Sequence, residues 1–441
     1  MTNDEIRSLS VIQLRDAIAS GSVSATAATA AAIEQAGRFK DSHALFVTYT
    51  PDKAMAAAVA ADAAQAAGKP LGPLHGVPIT IKDNIDVAGV PVTSGSQVLA
   101  ARIATEDAAV IAKLKAAGAI VTLGQTNMHE MAAGGTSNNP HYGTVRNPWA
   151  PDRVPGGSSG GAAASLALQV GHAALGTDAA GSVRMPACLC GLVGLKQTHG
   201  LVSLKGLVAA GNWTVDHIGP FTHSVADAQL MLQVMQGFDA ADPESNPKAA
   251  PAFPALDNLR GLKVGLPQNY FWDGLDPEVE GACRAVVEQM RKAGAELVPL
   301  SFQQIDLLAL ARPAMAADGW LLHEPYLREH PDWYGEDIRY RYMAGQYVTA
   351  EDYVRALRVR RLVTEEIAAV LGTVDVTVMP TMPAPATLIE PPSGGPINAA
   401  PMQNTMPFNQ SGLPAVSIAA VVEGLIGFNP TPPVLRQAVA V

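Results

Sequence analysis

Residues 155–186 read Pro155-Gly-Gly-Ser158-Ser-Gly-Gly, then an Ala/Leu-rich run, then Gly176-Thr-Asp178-Ala-Ala-Gly-Ser182-Val-Arg184-Met-Pro186. Each half is a glycine-rich turn opening onto small apolar residues, the pattern of a loop feeding a helix. The spacing predicts a helix over 159–170, a short strand over 173–175 and a second short helix over 182–189. Ser158 and Ser182 then stand at helix N-termini, where unsatisfied N–H groups and a partial positive charge favour a developing oxyanion. Glycines there let backbone N–H groups turn toward whatever a hydroxyl attacks. The combination points to acyl chemistry.

Upstream, Gly76-Val-Pro-Ile-Thr-Ile-Lys82-Asp-Asn84 alternates apolar residues and closes on a lysine. It reads as a buried strand in which desolvation favours the neutral amine, and a neutral amine is a base. Helices are predicted over 10–20, 25–36, 51–67, 106–117, 277–293 and 350–371, and strands over 119–123, 262–266, 295–300, 374–379 and 414–419. Residues 127–155, rich in Gly, Asn and Pro, form a long irregular loop leading into Ser158. The alternation predicts an α/β fold built on a single large mixed, mostly parallel sheet covered by helices on both faces. We expect one domain over 1–441, with its core at about 70–225 and the remainder, 226–441, supplying pocket-forming insertions. A Pro/Ala/Asp-rich segment at 238–254 reads as a surface connection.

Apolar residues make up 48% of the chain and charged ones 16%, with a net charge of −10. That balance allows a large core and opposes nucleic-acid binding. The N-terminus shows no secretory pattern and no uncharged run has the length of a membrane span, so a cytoplasmic protein without membrane contact is expected. The three cysteines are too few for a disulfide framework and lack zinc-site spacing. No metal or other cofactor is expected. Gly156-Gly-Ser158-Ser-Gly160 also fits a nucleophile elbow, but that motif needs a strand before the serine, and Pro148, Pro151 and Pro155 stand there. No phosphate-binding loop occurs. His129, beside Glu130, reads as a loop or core histidine.

Lys82, the Gly-Gly-Ser158-Ser-Gly-Gly turn and Asp178-x-x-Gly-Ser182-x-Arg184-x-Pro186, in this order and with the serines 24 residues apart, resemble the amidase signature family. The likeness extends over Tyr142 to Gly161, Gly274-Leu-Asp-Pro-Glu-Val and Val378-Met-Pro-Thr-Met-Pro. It implies the family's fold and a Ser–Ser–Lys triad: Ser182 as nucleophile, Ser158 as proton relay with a cis Gly157–Ser158 bond, and Lys82 as base. The amides of Ala179, Ala180, Gly181 and Ser182 would form the oxyanion hole, and residues 131–136, with Met131, Gly134, Gly135 and Thr136, would edge the substrate pocket. Asp178 and Arg184 lie close enough to pair and brace the turn. The chain departs from the family at Ala180, where Gly is frequent, at Gln197, where Pro is common, and in the tail after Leu425.

Seven of the 14 Trp and Tyr residues fall between Trp320 and Tyr347; they either wall an apolar pocket or pack helices. The Tyr-Asp-Ala-Tyr-Tyr-like segment of the family's tRNA-dependent amidotransferases is absent. We therefore expect a stand-alone hydrolase, monomeric or homodimeric, acting on small apolar or aromatic amides, with carbamates (urethanes) or ureas as variants. The alternative is the catalytic subunit of a glutamine-dependent amidotransferase, which needs a partner to receive ammonia.

Overall fold

The computed structural model describes residues 1–208, 214–247, 258–389 and 402–418. Ten strands run in chain order: β1 Phe46–Tyr49, β2 Ile79–Lys82, β3 Gly124–Thr126, β4 Ala173–Thr177, β5 Val193–Lys196, β6 Ile218–Thr222, β7 Lys263–Pro267, β8 Glu296–Leu300, β9 Val376–Thr377 and β10 Ala415–Ile418. The helices of the first half are α1 Asn3–Arg7, α2 Val11–Ala19, α3 Ala25–Phe39, α4 Pro51–Ala66, α5 Ala109–Ala116, α6 Gly160–Ala167, α7 Arg184–Cys190 and α8 Val225–Met235. Those of the second are α9 Pro277–Lys292, α10 Arg312–Glu329, α11 Glu336–Met343, α12 Ala350–Leu371 and α13 Met406–Gln410.

The main sheet is mixed, in the order β1-β3-β2-β4-β6-β5-β10. Parallel ladders join its centre, β3–β2–β4, and antiparallel ladders its flanks. Side chains alternate across each strand, and the two faces bury different helices. Ile79, Ile81, Leu175 and Ile218 pack with α2, α5 and α8, while Ala174 and Phe221 pack on the opposite face with α6 and α7. Helices thus cover both faces, as the α/β pattern predicts. A second, all-parallel sheet, β8-β7-β9, stands beside the first. The strands over 262–266, 295–300 and 374–379, expected to extend one sheet, pair among themselves instead. A core of Phe271, Leu300, Ile305, Val363 and Phe408, with Leu413 and Ala415 against it, joins the second sheet to the end of the first.

Local signals explain most boundaries. Ser10 caps α2 and exchanges hydrogen bonds with Gln13 in a capping box. The alanine-rich run 51–67 is a helix with Pro51 in its first turn, where proline's missing N–H has no partner to lose. Residues 119–123 border β2 only through the Pro78–Ile120 bridge, and the regular ladder lies at Gly124–Thr126, where β1 pairs from the other side. Of the 238–254 connection, residues 238–247 lie within the described residues, and the tail after Leu425 lies outside them. Among the described residues no helix is long and apolar enough to cross a membrane.

Candidate active site

Strand β2 delivers Lys82 into the interior between the two serine turns. Its Nζ lies 2.7 Å from Ser158 Oγ and 2.7 Å from Thr177 Oγ1, at the end of β4. Thr177 Oγ1 also accepts the Asn84 side-chain amide at 3.2 Å. Lys82 is fully buried, and burial lowers its pKa from 10.5 to about 7, against the opposing pull of Asp216 and Asp178. Desolvation therefore favours the neutral form of an amine in contact with a serine hydroxyl. Lys196, the other lysine that closes an apolar strand, is just as buried and likewise held well below its usual pKa by burial, with Arg184 adding to it. Its Nζ meets the Gln197 carbonyl and His217 Nε2, with no serine hydrogen-bonded to it among the described residues. Burial alone does not distinguish Lys82 from Lys196; the Ser158 contact does.

The Gly157–Ser158 peptide bond is cis. Ser158 is fully enclosed, its carbonyl held by the His129 N–H at 3.1 Å. Ser182 keeps 6% exposure, the only one of the three side chains that reaches solvent. Its carbonyl accepts the Ser159 N–H at 3.3 Å, tying the two turns together. No hydrogen bond joins the two hydroxyls among the described residues. The second turn wraps a buried ion pair: Arg184 meets both Asp178 oxygens at 3.0 Å. Burial alone would raise the Asp178 carboxyl, but Arg184 and the Asn409 amide outweigh it and hold it far below the carboxylate range.

The same carboxylate accepts the Gly181 N–H at 2.7 Å and the Val183 N–H at 3.2 Å. Of the four amides expected to form the oxyanion hole, that of Gly181 donates to Asp178, whereas those of Ala179, Ala180 and Ser182 have no acceptor among the described residues. Asn409 of α13 and Thr405, which precedes its first residue, complete the brace, and nothing local in the sequence announces them. Asn409 donates to Asp178 and accepts from Arg184 Nη2 at 2.6 Å, and Thr405 Oγ1 donates to the Ala180 carbonyl at 2.6 Å. Thr177 and Asn84, equally unannounced, stand one and two residues from Asp178 and Lys82 in the chain.

The 131–136 loop borders the first turn. A Cβ on Gly157 would lie 2.8 Å from the Gly135 carbonyl carbon and from Thr136 N, so the backbones touch. Met131 and Thr136 are buried, and Met131 packs with Tyr334, Ile338, Tyr342 and Leu327. The aromatic cluster therefore divides: Tyr334 and Tyr342 support the loop, while Tyr340 and Tyr347 face solvent. A cavity of about 380 Å³ lies beyond Arg184 and Thr405, lined by β9, α13 and β10, away from Lys82 and both serines. Among the described residues no cluster of His, Cys, Asp or Glu could hold a metal ion.

The family model named Amidase matches residues 27–425. The chain belongs to the amidase signature family. It is an enzyme of the class that cleaves C–N amide bonds. A relative from Chloroflexus aurantiacus, named as the A subunit of glutamyl-tRNA(Gln) amidotransferase, is 37% identical over 94% of this chain and 90% of its own length. The subunit of the same name from Thermotoga maritima, a solved structure, superposes with TM-score 0.75 at 29% identity, covering 95% of this chain and 87% of that one. Another solved structure, the inhibitor-bound form of a vestigial protein complex described as revealing the evolutionary origins of an s-triazine catabolic enzyme, gives TM-score 0.85 at 31% identity over 92% of this chain and 90% of that one.

These relatives overturn the expectation of a stand-alone hydrolase of apolar amides, and its carbamate and urea variants have no support among them. They equally overturn the expectation of a small-molecule substrate alone, no nucleic acid, and a monomer or homodimer, because their name carries a charged tRNA and membership of a larger enzyme. The physical reason is that net charge bears on this chain's own surface only. A multi-subunit enzyme can seat its tRNA on another subunit.

Proposed function

We propose that this chain is the amide-cleaving subunit of a glutamine-dependent amidotransferase acting on glutamyl-tRNA(Gln), releasing ammonia from glutamine to a partner subunit that holds the tRNA. The observation that carries the chemistry is the buried Lys82 amine, its pKa lowered by burial to about 7, at 2.7 Å from Ser158. The naming of relatives at 37% identity across most of the chain supports the assembly. A charged tRNA substrate sets the reaction in the cytoplasm.

In this reading Ser182 Oγ attacks the side-chain carbonyl of glutamine. Its proton passes to Ser158 Oγ as the Ser158 proton passes to Lys82 Nζ. The Ala179, Ala180 and Ser182 N–H groups receive the developing oxyanion. The tetrahedral intermediate collapses, the C–N bond breaks, and the proton returns through Ser158 to the leaving nitrogen, which departs as ammonia. Water, deprotonated by the same path, then releases glutamate from Ser182. Thr177 and Asn84 aim the Lys82 lone pair: the threonine oxygen takes an N–H from each, which turns the remaining face of the amine toward Ser158.

The test is ammonia release from glutamine by the chain alone and after assembly with partner subunits and glutamyl-tRNA(Gln). We expect release that rises in the assembly and disappears in Lys82→Ala. Cleavage of anilides or carbamates with glutamine ignored in both states would overturn the reading.

A further inference from the structure

The proposed chemistry leaves His129 without a part, yet its ring is fixed on three sides. Nε2 lies 3.2 Å from Asp337 Oδ2, and Nδ1 lies 3.3 Å from Thr136 Oγ1. A carboxylate only accepts, so Nε2 carries the proton toward Asp337. Gly134 covers the ring face so closely that a Cβ there would fall 2.1 Å from Nε2. Gly134 thus closes one face of the ring, and the His129 backbone N–H donates to the Ser158 carbonyl at 3.1 Å, beside a second donor, Ser137 Oγ, at 3.3 Å.

Two further ties fasten the same loop to α11 and to Gly335 at its N-terminal cap. Glu130 accepts the Gly335 N–H at 2.8 Å while its other oxygen holds His141 Nε2 and Ser96 Oγ, and Arg341 Nη1 donates to the Ala133 carbonyl at 2.5 Å. Loop 129–136 is thus clamped between Ser158 and a helix more than 200 residues away in sequence.

We propose that His129, held by Asp337, is a positioning residue that sets the Ser158 peptide, and with it the Ser158 hydroxyl, against Lys82. This rests on the proposed role of Ser158 as relay. Asp337 is about half exposed and touches neither serine. It acts through the histidine: when the carboxylate is lost, the ring loses its outer anchor, and of the two donors on the Ser158 carbonyl only Ser137 Oγ stays fixed. Small displacements of a relay are costly, since about 1 Å of misplacement can cost about a hundredfold in rate.

The test uses a fluorophosphonate, a small probe of nucleophilic serines whose phosphorus bonds to Ser182 Oγ as fluoride leaves and the hydroxyl proton passes to Lys82. Its labelling rate reads the activation of Ser182 whatever the natural substrate is. We expect His129→Leu and Asp337→Leu each to slow labelling about tenfold, with the double variant no slower than the slower single. His129→Gln, which keeps an N–H toward Asp337, and Asp337→Asn, which keeps an acceptor, should restore most of the rate at an unchanged melting temperature. Asp337→Leu decides the matter if His129→Leu fails to fold. Wild-type labelling rates in the Leu variants, together with a strict need for Lys82, overturn the inference and leave the relay intact. Labelling that does not need Lys82 overturns the relay itself.

Discussion

At the residue scale, Lys82 makes the most testable statement, because its amine titrates near pH 7 in the fold and near 10.5 in the unfolded chain. Only the neutral amine accepts a proton, so kcat/KM should rise with pH through a limb near 7 and then level; a limb absent in that region would contradict the assigned base. Linkage gives a second check. Between about 7 and 10.5 the unfolded chain binds the proton and the folded chain does not, so stability contributed at this site grows as pH rises through that window and is lost as pH falls to 7. Lys82→Met removes that dependence. Melting temperatures at pH 7 and 10 should therefore show the variant gaining on the wild type at the lower pH, although it has lost activity. Lys82, Ser158, Ser182, Asp178 and Arg184 were legible in the sequence because each sits in a short motif whose residue types have few other joint uses. Thr177, Asn84 and Asn409 were not, since a Thr or Asn is informative only through the donor or acceptor placed opposite it.

At the element scale, the turn 178–184 depends on α13. Gly181 has φ +126, and a Cβ there would fall 2.3 Å from Thr405 Oγ1. Asn409→Ala should cost about 2–3 kcal/mol, because it leaves an Arg184 nitrogen and an Asp178 oxygen buried with a partner missing. Chemical denaturation of the purified variant measures that cost, and a change under about 0.5 kcal/mol would show that the brace carries no weight. The elements legible in the sequence were those with strong period and punctuation: α2 with its Ser10 cap, α4, α12, and the β2 and β4 strands that end at Lys82 and Thr177. β1, β5 and β6 were not anticipated. They are short, and β6, Ile-Gly-Pro-Phe-Thr, carries the residues that ordinarily break a strand. The second sheet was read as part of the first because strand patterns reveal burial but not partners; register is fixed by contacts such as Leu300 and Phe408, which meet only after the chain has folded back.

At the scale of the whole molecule, the reach of these ties makes a claim about domains. We propose that residues 1–441 act as one unit, since the residues bracing Asp178 and Arg184 come from 405–409, and those clamping the loop beside Ser158 come from 335–341. A fragment ending after α8, which holds Lys82 and both serines, should then lack the braces on which the nucleophile turn rests. Expressed alone, residues 1–247 should show fluorophosphonate labelling at least about tenfold below that of the full chain, and limited proteolysis of the full chain should yield no stable product with that boundary. Wild-type labelling by the fragment would mean that the second half serves only substrate or partner. Charge bears on that partner. With 40 acidic and 30 basic residues, the chain has little with which to neutralise phosphates, and the counterion release that drives tRNA binding must come from elsewhere in an assembly. The isolated chain should therefore fail to shift glutamyl-tRNA(Gln) in a gel at physiological salt, while the assembled enzyme shifts it with an affinity that falls steeply as salt is raised. Tight, salt-sensitive binding by the chain alone would instead locate a basic face on this subunit and move the tRNA onto it.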